Sequence, residues 1–323
     1  MEYSVIIRTL GKAGSKYQQL LDSIKNSTLK PKDIIVVLPN GYETPNEKLG
    51  FEKFYFSSKG MVKQRLTGID KCNTPYALII DDDIAFEPDF VKKVAEPVIN
   101  HQYAISSGPL LEFFPQKGKA ALLSAISGGA VPTVFHKDRY NTVLKTTGYS
   151  YNRNIIREKR ALYETQSAAW TCFFADIEKL RDIRFQDELW LDKHGYSTHD
   201  DTAMFYKAWI NGIKSVIVAD AHYVHLDAKT SQKNNQELRA FCNSFNTQIF
   251  WRRFIYERST YNKRWWCRIC IDYYFIMSKL ILYSKYFKRE ISKETIMSAK
   301  QGRKKALEWI KSEEYRRIPP VIV

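Results

Sequence analysis

Three consecutive aspartates, Asp81, Asp82 and Asp83, directly follow the apolar segment YALII at residues 76–80. Carboxylates at this spacing repel one another and raise one another's pKa values, so the run is unfavourable unless a positive group compensates for it. A divalent cation that prefers hard oxygen ligands, Mg²⁺ or Mn²⁺, is the natural compensator. Capping of the helix predicted after Pro88 would explain one acidic residue but not the whole run. The run therefore predicts a metal site.

A second acidic group, Asp200 and Asp201, follows His199 at the start of a predicted helix. Asp200 suits the cap of that helix and Asp201 suits its positive end, so a structural role explains the pair about as well as catalysis does. A further ionisable residue, His225, comes after the apolar segment SVIVAD at 215–220. Each group lies just beyond an apolar strand or at a helix start, which predicts that all three converge on one rim of a sheet.

The elements that carry these groups alternate between strand and helix. Apolar runs predict strands at 3–8, 33–39, 51–56 and 76–80, whereas Tyr17, Leu20, Leu21 and Ile24 have helical spacing and 60–72 also reads as a helix. This alternation predicts an α/β fold, a doubly wound, mostly parallel Rossmann-like sheet with helices on both faces. Ligands of such sheets bind at the carboxyl ends of the strands, where Asp81–Asp83 fall.

Regular patterns are absent between residues 109 and 165, which we expect to form an irregular insertion, and they return with a strand at 170–176. The expected organisation is an α/β domain over residues 1–230 followed by a helical, basic and aromatic C-terminal region over 231–323. The five cysteines are odd in number and mostly in apolar surroundings, which favours a reducing compartment. The N-terminal residues show no signal-peptide pattern.

The net charge of +15 predicts an anionic partner, such as a phosphate, a nucleotide, a nucleic acid or an acidic lipid. Most of it lies in the last quarter, because residues 251–323 contain 18 Lys and Arg against 7 Asp and Glu. Residues 265–283 are largely apolar but are interrupted by Arg268, Asp272 and Lys279, which fall on one side of a helix. This pattern favours a helix packed on protein or lying in a membrane interface over one that crosses the bilayer. We therefore expect a cytoplasmic protein, peripheral at the inner face of the cell membrane; the oligomeric state stays open.

Two functional classes, nucleic-acid-binding proteins and sugar-nucleotide nucleotidyltransferases, fit parts of the sequence. The basic, aromatic C-terminal region is compatible with nucleic-acid binding, although its apolar content is high for that role. A sugar-nucleotide nucleotidyltransferase would also be an α/β protein with acidic metal ligands, but it usually has a Gly-rich phosphate loop after the first strand. The segment GKAGS at 11–15 is a poor substitute for such a loop.

The order of the motifs over residues 3–230 resembles the family 2 glycosyltransferases of the GT-A fold. The resemblance consists of SVIIRT at 4–9, PKDIIVV at 31–37, GMVKQR at 60–65, YALIIDDD at 76–83 with the DxD motif, the acidic helix-start segment at 185–214, and DAHYVH at 220–225. It implies an inverting, metal-dependent transfer of a sugar from a nucleotide diphosphate, usually a uridine one. The acceptor would be a hydroxyl of a glycan or lipid-linked molecule in cell-envelope or capsular polysaccharide synthesis.

The resemblance also assigns roles to individual residues. Asp201 matches the general base, with Asp200 beside it, and Asp83 and His225 match the residues near the Mn²⁺ or Mg²⁺ ion and the diphosphate. The expected donor-binding residues are Arg8, Thr9, Arg65, Asp81 and Asp82. We expect the acceptor near Trp170 and Asp176. The sequence departs from the family at Leu38, where an aspartate that contacts the base often stands, and at Ala203 and Met204, where a later acidic residue of the motif is missing.

Overall fold

The computed structural model describes residues 1–115, 117–227 and 235–322. The strands are β1 (Tyr3–Arg8), β2 (Asp33–Pro39), β3 (Glu52–Ser57), β4 (Tyr76–Asp81), β5 (Ile84–Phe86), β6 (Ile105–Ser107), β7 (Ala130–Pro132), β8 (Asn141–Val143), β9 (Tyr149–Tyr151), β10 (Leu162–Thr165), β11 (Cys172–Asp176), β12 (Ser215–Val218) and β13 (Tyr223–His225). The helices are α1 (Ser15–Asn26), α2 (Met61–Lys71), α3 (Phe90–Ile99), α4 (Lys119–Ile126), α5 (Ile177–Asp182), α6 (Asp200–Ile210), α7 (Gln236–Phe250), α8 (Arg264–Phe287), α9 (Lys293–Trp309) and α10 (Glu313–Arg316).

The central sheet has the strand order β10-β12-β6-β11-β4-β1-β2-β3. Strands β3, β2, β1 and β4 are parallel neighbours, and β12 is parallel to β6. Strand β11 runs antiparallel to both β4 and β6, and β10 runs antiparallel to β12. The sheet is therefore mostly parallel with helices around it, and the predicted α/β fold is confirmed.

Alternating side chains of β1 supply both faces of this sheet. Tyr3, Val5 and Ile7 pack in the core that contains α1 and α3, whereas Ile6 packs in the core that contains α2. Helix α2 approaches the sheet closely at Gly68, where an added Cβ would lie 2.3 Å from Cγ2 of Ile6. A near-continuous apolar run, here Val5 to Ile7, is typical of a strand buried on both faces.

The segment predicted to be irregular, residues 109–165, contains more regular structure than expected. It forms α4, a small sheet in the order β7-β9-β8, and β10 at the edge of the central sheet. The strands β7, β8 and β9 have three residues each, which is too short for an alternating pattern to be recognised in the sequence.

The C-terminal region packs against the face of the sheet that carries α2 and α6. Phe245, Phe250 and Phe254, from α7 and the π-helical segment Trp251–Tyr256, belong to the same apolar core as α2 and α6. The buried carboxylate of Glu188 pairs with Arg253 at 2.8 Å and with Lys207 at 3.1 Å. The boundary predicted between residues 230 and 231 lies outside the described residues. Across the described ranges, no helix is both long and apolar enough to cross a bilayer.

Candidate active site

Strand pairing brings Arg8 and Asp81 together at the carboxyl ends of β1 and β4. The two residues are direct partners in the parallel register. Nε of Arg8 donates to Oδ1 of Asp81 at 3.1 Å, and the second contact of the guanidinium with this carboxylate is 3.0 Å long. The charge of Asp81, the first residue of the acidic run, is therefore balanced by Arg8 of the neighbouring strand β1.

Arg65 of α2 connects Asp81 to Asp200. Its guanidinium donates to Oδ2 of Asp200 at 2.7 Å, to Oδ1 of Asp81 at 3.1 Å and to the carbonyl of Trp170 at 2.9 Å. The side chain is only 2% exposed, and its Cζ atom lies 4.5 Å from the centre of the Trp170 ring. One buried cation therefore joins the end of β4 to the start of α6.

These arginines determine the charge of Asp81. Burial by itself would raise the pKa of Asp81, but the charges of Arg8 and Arg65 outweigh burial and hold that pKa below its ordinary value. Asp82 differs, because burial raises its pKa to about 6 although its carboxylate accepts a 2.5 Å hydrogen bond from Thr9. The hydroxyl of Thr9 also accepts a hydrogen bond from the amide of Gly11 at 2.9 Å.

Asp83 and His225 meet through the small sheet of β5 and β13. His225 pairs with Ile84 in the antiparallel register, and the Leu226 amide donates to the Asp83 carbonyl at 2.8 Å. Nε2 of His225 lies 3.4 Å from Oδ1 of Asp83. Lys16 of α1 donates to the carbonyl of Leu226 at 2.6 Å and to that of Asp227, which fixes the segment after β13.

The donor set of Asp83 and His225 fits a divalent cation that keeps several ligand positions for substrate and water. A carboxylate and an imidazole are suitable ligands for Mn²⁺, and Mg²⁺ is usually held by one or two carboxylates plus phosphates. Among the described residues, no three His, Cys, Asp or Glu side chains form a group that could enclose a metal.

The start of α6 is held by His199, which has a left-handed backbone with φ of 68°. Its carbonyl accepts the first helical hydrogen bond, from the Ala203 amide at 2.8 Å. Its Nε2 lies 2.8 Å from Oγ1 of Thr247, and its ring stacks on Phe250. Burial lowers the pKa of His199 to about 4, so the imidazole is neutral at pH 7.

Asp201 lies beside Asp200 but has no arginine partner comparable with Arg65 among the described contacts. Its Oδ1 accepts hydrogen bonds from the amide of Thr202 at 2.6 Å and from the Thr202 hydroxyl at 3.3 Å. Burial, assisted by the charge of Asp200, raises the pKa of Asp201 to about 7. A carboxylate with this pKa can accept a proton near neutral pH.

The structure does not support either predicted acceptor residue. Asp176 pairs with Tyr76 at the opposite end of β4 from Asp81, and its side chain caps α5 by accepting from the amide of Lys179 at 3.1 Å. The reason is that β11 runs antiparallel, which sequence patterns do not reveal. Trp170 lies near the site but is 2% exposed, because its ring is covered by Arg65.

Three supporting residues were missed in the sequence. Asp192 accepts from the amides of Val62 and Lys63 and so caps the helix that carries Arg65. Thr247 forms a hydrogen bond with the imidazole of His199. Tyr149 lies near Asp201: burial is the main cause that raises the pKa of Tyr149 to about 12, and the charge of Asp201 contributes to it. Each contact joins residues more than 40 positions apart, so no local signal marks it.

In the site as a whole, one buried cation, Arg65, joins two carboxylate clusters at the strand ends of a mostly parallel sheet. The model of glycosyl transferase family 2 matches residues 4–166, about half of the chain. The chain belongs to this family and is a glycosyltransferase. The match includes Asp81–Asp83 and ends before Asp200 and His225.

Two solved structures are among those similar to the chain. GalNAc-T7, solved with UDP, GalNAc and Mn²⁺, is 13% identical with a TM-score of 0.48, and the alignment covers 78% of this chain and 50% of that one. The chain thus spans half the length of that protein. S. aureus TarS 1-349 is 14% identical with a TM-score of 0.42, with 96% and 92% of the two chains covered. The comparison with curated proteins gives no match.

Proposed function

We propose that the enzyme transfers a sugar from a nucleoside diphosphate donor, with uridine as the nucleoside, to an acceptor hydroxyl. The transfer inverts the configuration at the anomeric carbon. The observation that carries the proposal is the double contact of Arg65 with Asp81 and Asp200. It brings the run of aspartates, which would face the donor, next to the acidic pair that would face the acceptor. Displacement at one carbon needs both groups in one place.

Donor binding is assigned to the carboxyl ends of β1 and β4. Arg8, Thr9, Arg65, Asp81 and Asp82 line this edge, and the two arginines keep Asp81 ionised so that it can accept hydrogen bonds from a ribose. Leu38 at the end of β2 is fully buried in the core and does not offer a polar group to the base. Recognition of uracil is therefore assigned to backbone groups of this edge.

Asp83 and His225 would hold Mn²⁺ or Mg²⁺ together with the donor diphosphate. When bound, such an ion supplies Lewis-acid stabilisation of the negative charge that develops on the departing diphosphate. The chain's own contribution is to keep the two ligands 3.4 Å apart and to fix the segment after β13 through Lys16.

Asp201 is assigned the role of general base. The raised pKa matches it to a proton transfer near neutral pH, and Thr202 orients the carboxylate. The acceptor hydroxyl loses its proton to Asp201 while its oxygen bonds to the anomeric carbon and the diphosphate leaves from the opposite face. Asp200 fixes the start of α6 by its ion pair with Arg65 and raises the pKa of Asp201.

The acceptor is proposed to be a glycan or a lipid-linked molecule used in cell-envelope or capsular polysaccharide synthesis, with the enzyme at the inner face of the cell membrane. Tyr149 replaces Trp170 and Asp176 as the proposed acceptor-side residue, since it is partly exposed and lies near Asp201. Family membership gives no support to the nucleotidyltransferase or nucleic-acid-binding alternatives.

Incubation of the purified enzyme with a panel of sugar nucleotides and Mn²⁺ tests the proposal through release of nucleoside diphosphate. A uridine donor should be hydrolysed or used for transfer, and Asp83→Ala should abolish this release. Asp182→Ala, which changes an exposed aspartate on α5 at the other end of the sheet, is the matched control and should leave it unchanged. Equal rates for both variants, or no release from any donor, would contradict the proposal.

A further inference from the structure

Helix α8 presents an exposed apolar face along its whole length. Trp265, Ile269, Ile276, Leu280 and Phe287 are between 49% and 78% exposed. At about 100° per residue, these five side chains fall within about 60° of one another around the helix axis. The helix has 24 residues, which corresponds to a length of about 36 Å. Large apolar residues that are exposed in a contiguous patch mark an interaction surface.

The other side of α8 is attached to the fold mainly near its start. Within α8, all of whose residues are described, Cys267 and Ile271 are the buried ones. Farther along, cavities of about 440 and 490 Å³ lie between α8 and helices α7 and α9, with Phe275, Ser278 and Leu282 lining both. Packing on the protein therefore does not account for the apolar residues on the outer face.

Helix α4 extends this surface. Leu122, Leu123 and Ile126 are exposed, and the Tyr273 hydroxyl of α8 donates to the carbonyl of Ile126, which joins the two helices. We call the combined surface the α4–α8 face, and it consists of Leu122, Leu123, Ile126, Trp265, Ile269, Tyr273, Ile276, Leu280 and Phe287.

The charges around the α4–α8 face indicate what covers it. Between residues 263 and 289 the chain has seven basic residues, Lys263, Arg264, Arg268, Lys279, Lys285, Lys288 and Arg289, and one acidic residue, Asp272. Asp272 is paired with Arg303 of α9. Arg264 and Arg268 lie over the ring of Tyr256, and at about 100° per residue Lys285 lies on the opposite side of α8 from Ile276. Lys263, Lys288 and Arg289 are exposed at the two ends of α8, where anionic lipid headgroups would complement them.

We propose that the α4–α8 face docks on the surface of an anionic lipid bilayer, with α8 lying in the plane of the interface. The two tryptophans at the start of α8 and the basic residues at both of its ends are the anchors that such helices use. The proposal adds a membrane partner to the function proposed above. Docking on lipid does not depend on that function, whereas the link to a lipid-linked acceptor rests on it.

The docking surface is continuous with the acceptor side of the active site. Helix α4 is followed by Gly129, whose carbonyl accepts a hydrogen bond from the Tyr149 amide at 3.0 Å. The pKa of Tyr149 is raised by burial and, in addition, by the negative charge of Asp201. The end of α4 is therefore joined by one backbone hydrogen bond to β9, the strand that carries Tyr149.

Vesicle flotation of the full chain at physiological salt tests the proposal. The protein should float with vesicles of phosphatidylcholine and phosphatidylglycerol but not with vesicles of phosphatidylcholine alone. Ile276→Glu should lose flotation. Phe51→Glu, at a residue of similar exposure next to the opposite edge strand β3, is the matched control and should float as the unaltered chain does.

Light scattering of the same samples and hydrolysis of the donor separate this proposal from the proposed function. Asp83→Ala should lose hydrolysis and keep flotation, and Ile276→Glu should keep hydrolysis and lose flotation. The proposal is overturned by equal binding to neutral vesicles, by absence of binding to both kinds, or by a dimer that Ile276→Glu dissociates while neither form floats.

Discussion

The imidazole of His199 lies 2.8 Å from the hydroxyl of Thr247, so the residue before the proposed base helix is held by helix α7 of the C-terminal region. Thr247 is buried and His199 is partly buried, and His199 is neutral at pH 7 because burial lowers its pKa to about 4. The left-handed backbone of His199 is unfavourable for a residue with a Cβ and persists only when its surroundings hold it. The C-terminal region is therefore part of the machinery that positions Asp200 and Asp201.

Thr247→Val should lower kcat and leave the KM for the donor nearly unchanged. The substitution keeps the shape of the side chain but leaves Nε2 of His199 without its partner, which costs about 1–3 kcal/mol of folding free energy. Thr247→Ser retains the hydroxyl and should restore most of kcat. If the valine variant lost stability in denaturant unfolding but kept kcat, Thr247 would be structural only and would have no positioning role.

Arg65→Lys should reduce kcat/KM by at least about tenfold, because an ammonium lacks the planar fork that reaches two carboxylates and a carbonyl at once. Loss of part of a buried, paired network should also lower the free energy of unfolding by about 3–5 kcal/mol, which chemical denaturation can measure. Arg157→Lys is the control, since Arg157 makes an exposed ion pair with Glu112. Equal kinetics for the two variants would remove Arg65 from the proposed site.

The rate of transfer should fall as the pH decreases through about 7. The proposed base must be ionised to accept a proton, and burial together with the charge of Asp200 places the pKa of Asp201 at about 7. A plot of log kcat/KM against pH should therefore have a slope near one on its acid side. A rate that is constant from pH 8 to pH 5 would assign the base elsewhere.

Asp201→Asn should bind the donor nucleotide as the unaltered enzyme does and lose transfer by about 10²–10⁴-fold. The native protein binds a proton at Asp201 more tightly than the unfolded chain does, so this group's contribution to stability is complete below its unfolded pKa and disappears as the pH rises through about 7.

The asparagine variant does not titrate at this position, so its free energy of unfolding does not fall in this way as the pH rises. Its Tm should thus exceed that of the unaltered protein by more at pH 8 than at pH 5, in contrast to a variant of merely disrupted packing.

The sequence predicts the parts of this site that depend on neighbouring residues in the chain. It does not predict the parts that depend on contacts between distant segments. Strands β1 and β4 are continuous apolar runs that end at Arg8 and Asp81, so their bounds and the position of the aspartates at the strand ends follow from pattern. Asp192 and Thr247 lie more than 40 residues from the groups they hold, and only the folded chain brings them there. The position predicted for Asp176 differs from the observed one because β11 runs antiparallel to its neighbours β4 and β6, which places Asp176 at the opposite end of β4 from Asp81.

Lys16→Met should raise the Mn²⁺ concentration needed for half-maximal activity while leaving kcat at saturating Mn²⁺ almost unchanged. Lys16 contacts neither proposed metal ligand in the described structure; it donates to the carbonyls of Leu226 and Asp227, the residues directly after His225. Residues that orient a metal ligand commonly change metal affinity by about 10–100-fold when they are replaced. Lys25→Met, an exposed lysine on the same helix, should leave the Mn²⁺ dependence as it is. If the two variants titrate alike, the segment after β13 does not need Lys16 to present His225.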